Sequence, residues 1–394
     1  MIVAGEPSGD AHAASLVRAL RESGPETSFE FFGGTQGLMR AEGVETIVPT
    51  DELSITGLVE IGSALPRFWR AYKRLRDAGL ALRPDCVVLV DFPDFNLRLA
   101  RAFHARGIRV VYFVSPQLWA WRGYRVRHIR RDVDLLLALL PFEPAWYAAR
   151  GVSHVEFVGH PLASQVRRQD DRAEFCRRND LDPARAIVAL LPGSRHKELE
   201  RILPTMLEAA QLVAREQQGI QFVVALAPTR AEDEATRIID AIISTKDRDA
   251  VNNGSLAHDL RVVRGETRDA LSAADASAVA SGTATLEAAL TETPLVVVYK
   301  ESRINWHVLG SLISVDHYGL VNLVAGKRVA TELMQSDFTP PRLARELIKL
   351  LDPATNARAR AALREATAKL GTHDASRRAA DATLRALRAW RSKS

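Results

Sequence analysis

Cysteine is scarce in this 394-residue chain, which contains only Cys86 and Cys176. Such low usage argues against a structural metal cluster and is typical of proteins from a reducing compartment. The longest apolar candidate, residues 133–142, is about half the roughly 20 residues that a transmembrane helix needs. The N-terminus also lacks the basic flank and the apolar core of a signal peptide. We therefore expect a cytoplasmic protein with no metal and no other cofactor.

Charge is distributed unevenly along the chain. The net charge is +5, yet residues 356–394 alone contain ten Lys or Arg and three Asp or Glu, so the remainder is slightly acidic. A basic segment can meet phosphates on nucleic acid, on lipid head groups or on a small substrate, but most such segments are solvated helix faces. We favour a solvated helix for this tail and expect no nucleic-acid partner.

Strand and helix patterns alternate along almost the whole chain. Short apolar runs such as 86–90 and 186–191 are typical of strands that are buried on both faces of a parallel sheet. The alternation stops at the polar stretch 167–182 and then restarts. The pattern predicts an α/β fold of two doubly wound, Rossmann-like domains facing a cleft, with a helical C-terminal tail. The predicted segments are 1–165, 166–355 and 356–394, with the tail packing on the N-terminal domain or on a partner protomer.

An acidic turn directly follows the predicted strand 86–90. Ligands of open α/β sheets gather outside the carboxyl ends of the strands, so Asp91 is placed to face a substrate. A carboxylate at that position can act as a general base. Asp91 and Asp94 together could instead hold Mg²⁺, but no further acidic cluster lies nearby. Asp94 and Asn96 can also serve as turn and cap residues.

Two strand-to-helix loops carry small residues. In residues 5–10 the sequence is suited to a tight turn and a helix cap, formed around Glu6, Ser8, Gly9 and Asp10. That loop lacks the spacing of a dinucleotide fingerprint, and an ordinary capped turn explains it equally well. The loop at residues 190–195 is more specific, because it combines close backbone approach, a helix cap and a forked cation suited to phosphate: Gly193, Ser194 and Arg195.

The segment 281–287 gives the strongest nucleotide signal. Small residues open a helix directly after a buried strand, which suits a pyrophosphate: Ser281, Gly282, Thr283 and Ala284. Glu287 can accept hydrogen bonds from two ribose hydroxyl groups, or it can simply be a favourable acid in the first helical turn. No Gly-Lys-Ser/Thr sequence follows, so the loop is not a P-loop.

Two aromatic segments allow both a structural and a functional interpretation. Trp119 and Trp121 follow a buried strand and have polar neighbours at Ser115 and Arg122, so they suit a ligand wall as well as core packing.

Residues 57–82 alternate apolar and basic positions near helical spacing. This pattern fits an interfacial helix that touches a membrane through Leu65, Phe68 and Trp69, and it fits a core-packed amphipathic helix equally well.

These motifs together closely resemble those of lipid-A-disaccharide synthases, inverting glycosyltransferases of the GT-B architecture. The matching segments keep their order along nearly the whole chain: 5–10, 91–96, 115–122, 140–143, 159–160, 191–195, 281–287 and 322–326. The first strand is shorter than the usual family lead-in, so we expect that a few residues are missing at the N-terminus or that the start is misassigned.

The resemblance implies a reaction between UDP-2,3-diacylglucosamine and 2,3-diacylglucosamine 1-phosphate that gives a β-1,6-linked disaccharide 1-phosphate and UDP. Asp91 would take the proton from the acceptor's 6-hydroxyl. The departing UDP would be stabilised without a metal by Arg195 and by residues 281–284. Glu287 would hold the ribose, and Asn322 would reach the nucleotide or the donor sugar. The expected substrate contacts of the first domain are Glu6, Ser8, Gly9, Asp10, Asn96, Ser115, Trp119, Trp121 and Arg122.

The resemblance also implies partners and a location. Family members are dimers that exchange C-terminal helices, and their substrates are membrane amphiphiles. We therefore expect a homodimer at the cytoplasmic surface of the inner membrane of a Gram-negative bacterium. Two alternatives remain: a hydrolysing UDP-sugar 2-epimerase, and a non-catalytic module that binds a nucleotide or a lipid.

Overall fold

The computed structural model describes residues 1–51, 61–166, 168, 171–246, 256–301, 316–371 and 374–392. Residues 57–60 of the predicted interfacial segment lie outside this range, as do the side chains of residues 61–64. The described chain divides into two compact units. The first comprises Met1–Ser164 with Gly371–Ser394, and the second comprises Gln165–Leu370.

The first unit is built on a parallel sheet with strand order β3-β2-β1-β4-β5-β6-β7. The strands are β1 (Ile2–Ala4), β2 (Phe32–Thr35), β3 (Glu45–Pro49), β4 (Cys86–Val90), β5 (Arg109–Phe113), β6 (Leu135–Ala138) and β7 (Val155–Phe157). The helices up to the junction are α1 (Pro7–Ser23), α2 (Gly37–Ala41), α3 (Ile61–Leu82), α4 (Pro93–His104), α5 (Val126–Asp132), α6 (Glu143–Ala148) and α7 (Leu162–Gln165).

The second unit repeats this topology with strand order β10-β9-β8-β11-β12-β13. Its strands are β8 (Ile187–Leu191), β9 (Gln221–Leu226), β10 (Leu260–Arg264), β11 (Ala276–Ala280), β12 (Leu295–Tyr299) and β13 (Thr331–Met334). Its described helices are α8 (Arg172–Arg178), α9 (His196–Glu216), α10 (Glu232–Lys246), α11 (Leu256–Asp259), α12 (Thr267–Ala273), α13 (Ala284–Leu290), α14 (Leu320–Ala325), α15 (Pro340–Leu351) and α16 (Pro353–Ala368). Both strand orders are those of doubly wound sheets, which confirms the fold class predicted from the sequence.

Burial on both faces explains why the central strands read as continuous apolar runs. All five residues of β4 are buried. Val87 and Leu89 pack in one core cluster with Phe103, whereas Val88 and Val90 pack on the other face in the cluster that includes residues of α1. A strand in this position has no solvent-facing side chains, so its polar residues begin only where the strand ends.

The C-terminal residues divide between the two units. Helix α16 packs against α13 and α14 in the second unit, and the last helix, α17 (Ala375–Arg391), packs against α1 in the first. Ala379 and Ala380 of α17 are fully buried, and Arg378 Nη2 donates to Phe157 O at 2.8 Å. Among the helices that the structure describes, none has the length and apolar character needed to cross a membrane.

Candidate active site

The turn after β4 holds Asp91 in a rare backbone conformation. Asp91 and Phe92 have positive φ angles of 49° and 53°, in the left-handed region that residues other than glycine seldom adopt. The backbone N–H of Asp91 donates to Phe113 O at 3.0 Å. Its backbone carbonyl accepts hydrogen bonds from Tyr112 Oη at 2.7 Å and from Asn96 Nδ2 at 2.8 Å. These bonds fix the main chain around Asp91, and strained backbone of this kind is common at functional sites.

The side chain of Asp91 is a stronger base than an exposed aspartate. Its carboxyl group is largely buried, and burial raises its pKa to about 6. The negative charge of Glu6 adds to this increase, and a hydrogen bond from the backbone of Phe92 opposes it. Near pH 7 most of the group is ionised, and the raised pKa favours proton transfer to it. The geometry and the electrostatics therefore both support a general base at this position.

The loop before α1 lies against the same acidic turn, but only part of it is open to a ligand. Glu6 and Ser8 are exposed, whereas Gly9 is buried and Asp10 is 2% exposed. The Asp10 carboxylate accepts three backbone N–H groups at distances of 2.8–3.3 Å, those of Gln36, Leu38 and Met39. This carboxylate therefore caps the start of α2, and its contact with substrate stays a prediction.

Asn96 has a positioning role. It is fully buried in the first turn of α4, and its Nδ2 donates to the backbone carbonyls of Val90 and Asp91 at 3.1 and 2.8 Å. The side chain thus joins the end of β4 to the start of α4. Asn96 is 0% exposed, and these bonds fit the alternative of a turn and cap residue, while its contact with substrate stays a prediction.

Glu143, for which the sequence predicted no individual role, anchors the loop that follows β5. Its Oε1 accepts hydrogen bonds from Ser115 Oγ at 2.5 Å and from Trp119 Nε1 at 3.1 Å, and its Oε2 accepts the N–H of Leu140 at 2.9 Å. Glu143 is 1% exposed, and burial raises its pKa to about 7 although these hydrogen bonds lower it. Ser115 and Trp119 therefore both hold the loop through Glu143, and their contact with substrate stays a prediction.

The other two predicted contacts of this loop stay at the surface. Trp121 is 43% exposed, and the guanidinium of Arg122 lies 4.1 Å from the centre of its ring. Arg122 also pairs with Asp94, as does Arg125. Asp94 is therefore engaged by two cations. Within the described ranges no three His, Cys, Asp or Glu side chains form a cluster suited to a metal ion.

In the second unit, eight of the nine predicted nucleotide residues line one cavity of about 670 Å³, and Asn322 is the exception. The cavity lies at the carboxyl ends of β8, β9, β10 and β11, where ligands of such sheets gather. The sequence-predicted residues in its wall are Gly193, Ser194, Arg195, Ser281, Gly282, Thr283, Ala284 and Glu287. The loop after β10, residues 265–269, also lines it and was missed in the sequence. The signal for it was Gly265 at the end of a strand, followed directly by polar residues that open α12.

The Glu198 carboxylate accepts hydrogen bonds from the loop after β8 and holds it against the start of α9. Its Oε2 accepts the backbone N–H groups of Ser194 and Arg195 at 3.1 and 3.2 Å, and its Oε1 accepts Arg195 Nη1 at 3.1 Å. Gly193 makes room for this carboxylate, since a Cβ there would lie 2.5 Å from Glu198 Oε2. The N–H groups of this loop are therefore already used. The Arg195 side chain is 82% exposed, so its guanidinium can reach a ligand.

The loop after β11 presents Glu287 to the cavity. Gly282 has a φ angle of 152°, and the Ser281 hydroxyl donates to Tyr318 O at 2.8 Å, which holds the loop to the segment before α14. Glu287 Oε1 accepts a hydrogen bond from Arg268 Nε at 3.0 Å. Arg268 thereby orients the carboxylate that was predicted to bind the ribose.

Asn322 is buried and hydrogen-bonded at both ends of its side-chain amide. It is 0% exposed, and its Nδ2 donates to Ala330 O at 2.9 Å and to Glu332 Oε1 at 2.8 Å. Its Oδ1 accepts the N–H groups of Val329 and Ala330 at 2.8 and 2.9 Å. Both ends of the amide are therefore used inside the protein, and the expected contact with the nucleotide or the donor sugar stays a prediction.

Helix α3 exposes two of the three side chains that were predicted to touch a membrane. Leu65 is 62% exposed and Trp69 is 50% exposed. Phe68 instead packs with the rings of Phe92 and Phe95, at centroid distances of 5.9 and 6.2 Å. This ring therefore packs against Phe92, which directly follows Asp91, and its contact with a membrane stays a prediction.

Comparison with solved structures supports the fold. The chain resembles a glycosyltransferase of kitacinnamycin with a TM-score of 0.58 and 18% identity, covering 98% of this chain and 97% of that one. It also resembles the UDP-GlcNAc 2-epimerase from Neisseria meningitidis, with a TM-score of 0.57, 12% identity and 98% coverage of both chains. Identities this low establish a common fold and leave the activity open.

Sequence relatives are far more similar. The chain is 42% identical to the lipid-A-disaccharide synthase of Myxococcus xanthus over 388 residues, which cover 98% of this chain and 97% of that protein. It is 40% identical to the enzyme of the same name from Geobacter sulfurreducens, with the same coverage. The model of the lipid-A-disaccharide synthetase family matches residues 1–386. This chain therefore belongs to the lipid-A-disaccharide synthase family.

Proposed function

We propose that this protein transfers 2,3-diacylglucosamine from its UDP conjugate to the 6-hydroxyl of 2,3-diacylglucosamine 1-phosphate, with inversion at the anomeric carbon. The products are a β-1,6-linked disaccharide 1-phosphate and UDP. The observation that carries this proposal is the Asp91 carboxyl group, fixed at the carboxyl end of a parallel sheet with a pKa of about 6. Family membership supports a lipid-linked sugar phosphate and a UDP-sugar as the substrates.

In the proposed reaction Asp91 accepts the proton of the acceptor's 6-hydroxyl. The oxygen attacks the anomeric carbon of the donor as the bond between that carbon and the UDP oxygen breaks, and the electron pair leaves with UDP. Attack from the face opposite the leaving group inverts the configuration. General-base assistance of this kind typically contributes about 10²–10⁴-fold to the rate.

The cavity of the second unit supports binding of the UDP moiety. Arg195 offers an exposed guanidinium for the negative charge that develops on the departing diphosphate. Glu287, oriented by Arg268, offers a carboxylate oxygen to the ribose hydroxyl groups. Because a protein cation can supply this stabilisation, we propose that no metal is needed. Turnover that persists in excess EDTA would support this, and a strict Mg²⁺ requirement would contradict it.

The exposed face of α3 supports attachment to a membrane surface. Trp69 and Tyr72 stack at 5.2 Å, Lys73 lies 5.4 Å from the Trp69 ring, and Arg76 lies 5.7 Å from the Tyr72 ring. Apolar rings with basic neighbours suit the interface between acyl chains and anionic head groups. We propose that Leu65 and Trp69 insert there, at the cytoplasmic face of the inner membrane.

A vesicle sedimentation experiment tests the membrane contact. Leu65→Ser with Trp69→Ser should release protein from vesicles that contain phosphatidylglycerol, whereas Leu38→Ser should not. Leu38 is a suitable control because it is 53% exposed on α2, away from this face. Equal sedimentation of the native protein, the double variant and the Leu38→Ser variant would show that α3 does not contact the membrane.

A homodimer is also part of the proposal. Helix α17 follows Gly371, whose φ angle is 88°, and packs on α1 within one chain. The same contact can form with the α1 of a second copy. Sedimentation equilibrium at micromolar concentration should give twice the monomer mass of 43.4 kDa. A single species of monomer mass would contradict the dimer.

The decisive experiment for the reaction is incubation of the purified protein with the two acylated glucosamine substrates. Mass spectrometry should detect the tetra-acyl disaccharide 1-phosphate together with UDP in equal amounts. Release of free diacylglucosamine and UDP without disaccharide would show hydrolysis instead of transfer, and would overturn the proposal.

A further inference from the structure

Two arginine side chains converge on one carboxylate close to Asp91 in the chain. Arg122 Nη1 lies 3.1 and 3.3 Å from the two carboxylate oxygens of Asp94, and Arg125 Nη2 bonds to Oδ1 of the same group. The Asp94 side chain is 66% exposed, whereas that of Arg125 is only 16% exposed. One carboxylate cannot neutralise two guanidinium groups, so the cluster carries a net positive charge.

The sheet brings this cluster to the same edge as the proposed general base. Strands β4 and β5 are parallel neighbours with Val90 opposite Phe113. Asp94 lies in the first turn of the helix after β4, and Arg122 ends the loop after β5. Carboxyl ends of adjacent parallel strands meet at one edge, so the positive charge lies on the side of the sheet where the acceptor must present its hydroxyl to Asp91.

Aromatic rings flank the arginines and stay open to solvent. Trp121 is 43% exposed and lies under the guanidinium of Arg122, and Tyr124 is 61% exposed. Stacking on a ring fixes the plane of a guanidinium and leaves its edge, with the N–H donors, directed outward. The ion pair with Asp94 uses Nη1 of Arg122, so Nε and Nη2 are not used by that pair.

We propose that Arg122 and Arg125 bind the phosphate monoester of the acceptor sugar and select the acceptor by that group. The proposal rests on the proposed function, which requires a sugar 1-phosphate as acceptor. Guanidinium forks match phosphate oxygens in geometry, and arginine stays charged at every relevant pH. A phosphate monoester carries about 1.5–2 negative charges near pH 7, against one on Asp94, so it competes well for both cations.

The same chemistry could serve the phosphate of a membrane lipid, and the two sources can be separated by experiment. The exposed apolar side chains Leu65 and Trp69 lie on α3, and none of the residues in the arginine cluster belongs to that helix. We therefore expect loss of Arg122 or Arg125 to affect the acceptor and to leave vesicle binding unchanged.

The test compares two acceptors in the absence of donor, so that no turnover is needed. Affinities for 2,3-diacylglucosamine 1-phosphate and for its dephosphorylated analogue are measured with the native protein and with Arg122→Gln, Arg125→Gln and Arg130→Gln. The first two variants should weaken binding of the phosphorylated acceptor by about tenfold to a hundredfold, the usual effect of losing a charge-assisted hydrogen bond. Their affinity for the dephosphorylated analogue should stay within about twofold.

Arg130→Gln is the matched control, because Arg130 is an exposed arginine one turn further along α5. It should leave both affinities unchanged. Equal losses for both acceptors in Arg122→Gln would indicate a damaged loop and overturn the phosphate assignment, as would an unchanged preference for the phosphorylated acceptor.

A second arm measures sedimentation of the same variants with phosphatidylglycerol vesicles. Native-like sedimentation agrees with a site for the acceptor, and lost sedimentation with an intact acceptor preference would assign the arginines to membrane lipid instead. Because binding is measured without donor, the result also stands apart from the reaction itself. A failed transfer assay with a preserved phosphate preference would reject the proposed reaction and keep the phosphate site.

Discussion

The hydroxyl group of Tyr112 donates a hydrogen bond of 2.7 Å to the backbone carbonyl of Asp91, across the two central strands of the first sheet. Tyr112 is fully buried, and Asp91 lies at the end of the neighbouring strand in the left-handed conformation. A buried core residue thus holds the main chain of the proposed general base by a hydrogen bond. The carboxyl group of Asp91 remains at the edge of the sheet.

Replacing Tyr112 with Phe tests this link. The substitution keeps the buried ring and removes the donor, so we expect a loss of about 0.5–1.5 kcal/mol in the free energy of unfolding. We also expect a lower kcat, because the backbone carbonyl of Asp91 itself loses one of its two hydrogen bonds, and an unchanged Kd for UDP. Urea unfolding, steady-state kinetics and calorimetry measure the three quantities. An unchanged kcat with reduced stability would limit Tyr112 to a packing role.

Asp91→Asn should remove most of the turnover and keep the nucleotide site. Asparagine has nearly the same shape but cannot accept the proton of the 6-hydroxyl, so kcat should fall by about 10²–10⁴-fold. The cavity proposed to bind UDP lies in the other unit, so the Kd for UDP should not change. Glu156→Gln is the control, since Glu156 is an exposed partner of Arg385. A rate within about threefold of the native value in Asp91→Asn would falsify the assignment of the base.

The same residue predicts a trade-off between stability and activity. Burial raises the pKa of Asp91 from 3.8 to about 6, so the folded state retains a proton that the unfolded chain has already released. Stability from this group is therefore greatest below about pH 4, decreases between pH 4 and pH 6, and stays reduced above that. Asp91→Asn should stabilise the protein at pH 8 by up to about 3 kcal/mol, since one pKa unit corresponds to about 1.4 kcal/mol.

Thermal unfolding of native protein and Asp91→Asn at pH 4 and pH 8 measures this effect. The difference in Tm between the two proteins should be large at pH 8 and small at pH 4. The catalytic profile should have the opposite sign, with kcat/KM of the native enzyme falling as the pH drops below about 6 and Asp91 gains its proton. A difference in Tm that does not depend on pH would show that the ionised carboxylate is not destabilising.

Both sheets could be predicted from the sequence because a strand that is buried on both faces appears as a short, continuous run of apolar residues. The eight predicted nucleotide residues in the cavity wall were found for a related reason, since they belong to the loops and first helical turns that follow two buried strands. The buried hydrogen bonds of Asp10 and Asn322 were not predicted, because their partners could not be inferred from local sequence. Asp10 bonds to backbone groups 26–29 residues away, and Asn322 is closed by the turn before β13.

The role of Glu143 could not be predicted either, again because its partners are distant in the sequence. Its partner Ser115 is 28 residues away in the sequence, and only the neighbouring positions of β5 and β6 bring the two together. A glutamate at the start of a helix is otherwise explained by the helix dipole alone. The family resemblance included residues 140–143 but attached no role to them, and the contacts of the carboxylate provide one.

Glu143→Ala should disorder the loop that carries Trp121 and Arg122. The change leaves the buried Ser115 hydroxyl and Trp119 indole without an acceptor, which typically costs about 1–3 kcal/mol for each group. We expect faster proteolysis within residues 115–125 and a KM for the acceptor raised by at least about tenfold, with the Kd for UDP unchanged. Glu143→Gln keeps one acceptor oxygen and should recover part of the acceptor affinity. Equal damage to the acceptor KM and the UDP Kd would indicate general unfolding.

Glu287→Gln should weaken nucleotide binding through the ribose. The carboxylate that Arg268 orients at 3.0 Å loses its charge and half of its acceptor capacity, so the Kd for UDP should rise by about tenfold, as expected for one charge-assisted hydrogen bond. The Kd for 2′-deoxy-UDP should change less, because that nucleotide offers one hydroxyl fewer, and the preference for UDP should shrink.

Glu292→Gln is the matched control, since Glu292 lies just beyond α13 and pairs with Arg364 outside the cavity wall. Titration calorimetry with both nucleotides distinguishes the outcomes, and an equal loss for UDP and 2′-deoxy-UDP would move Glu287 from the ribose to a role in shaping the loop.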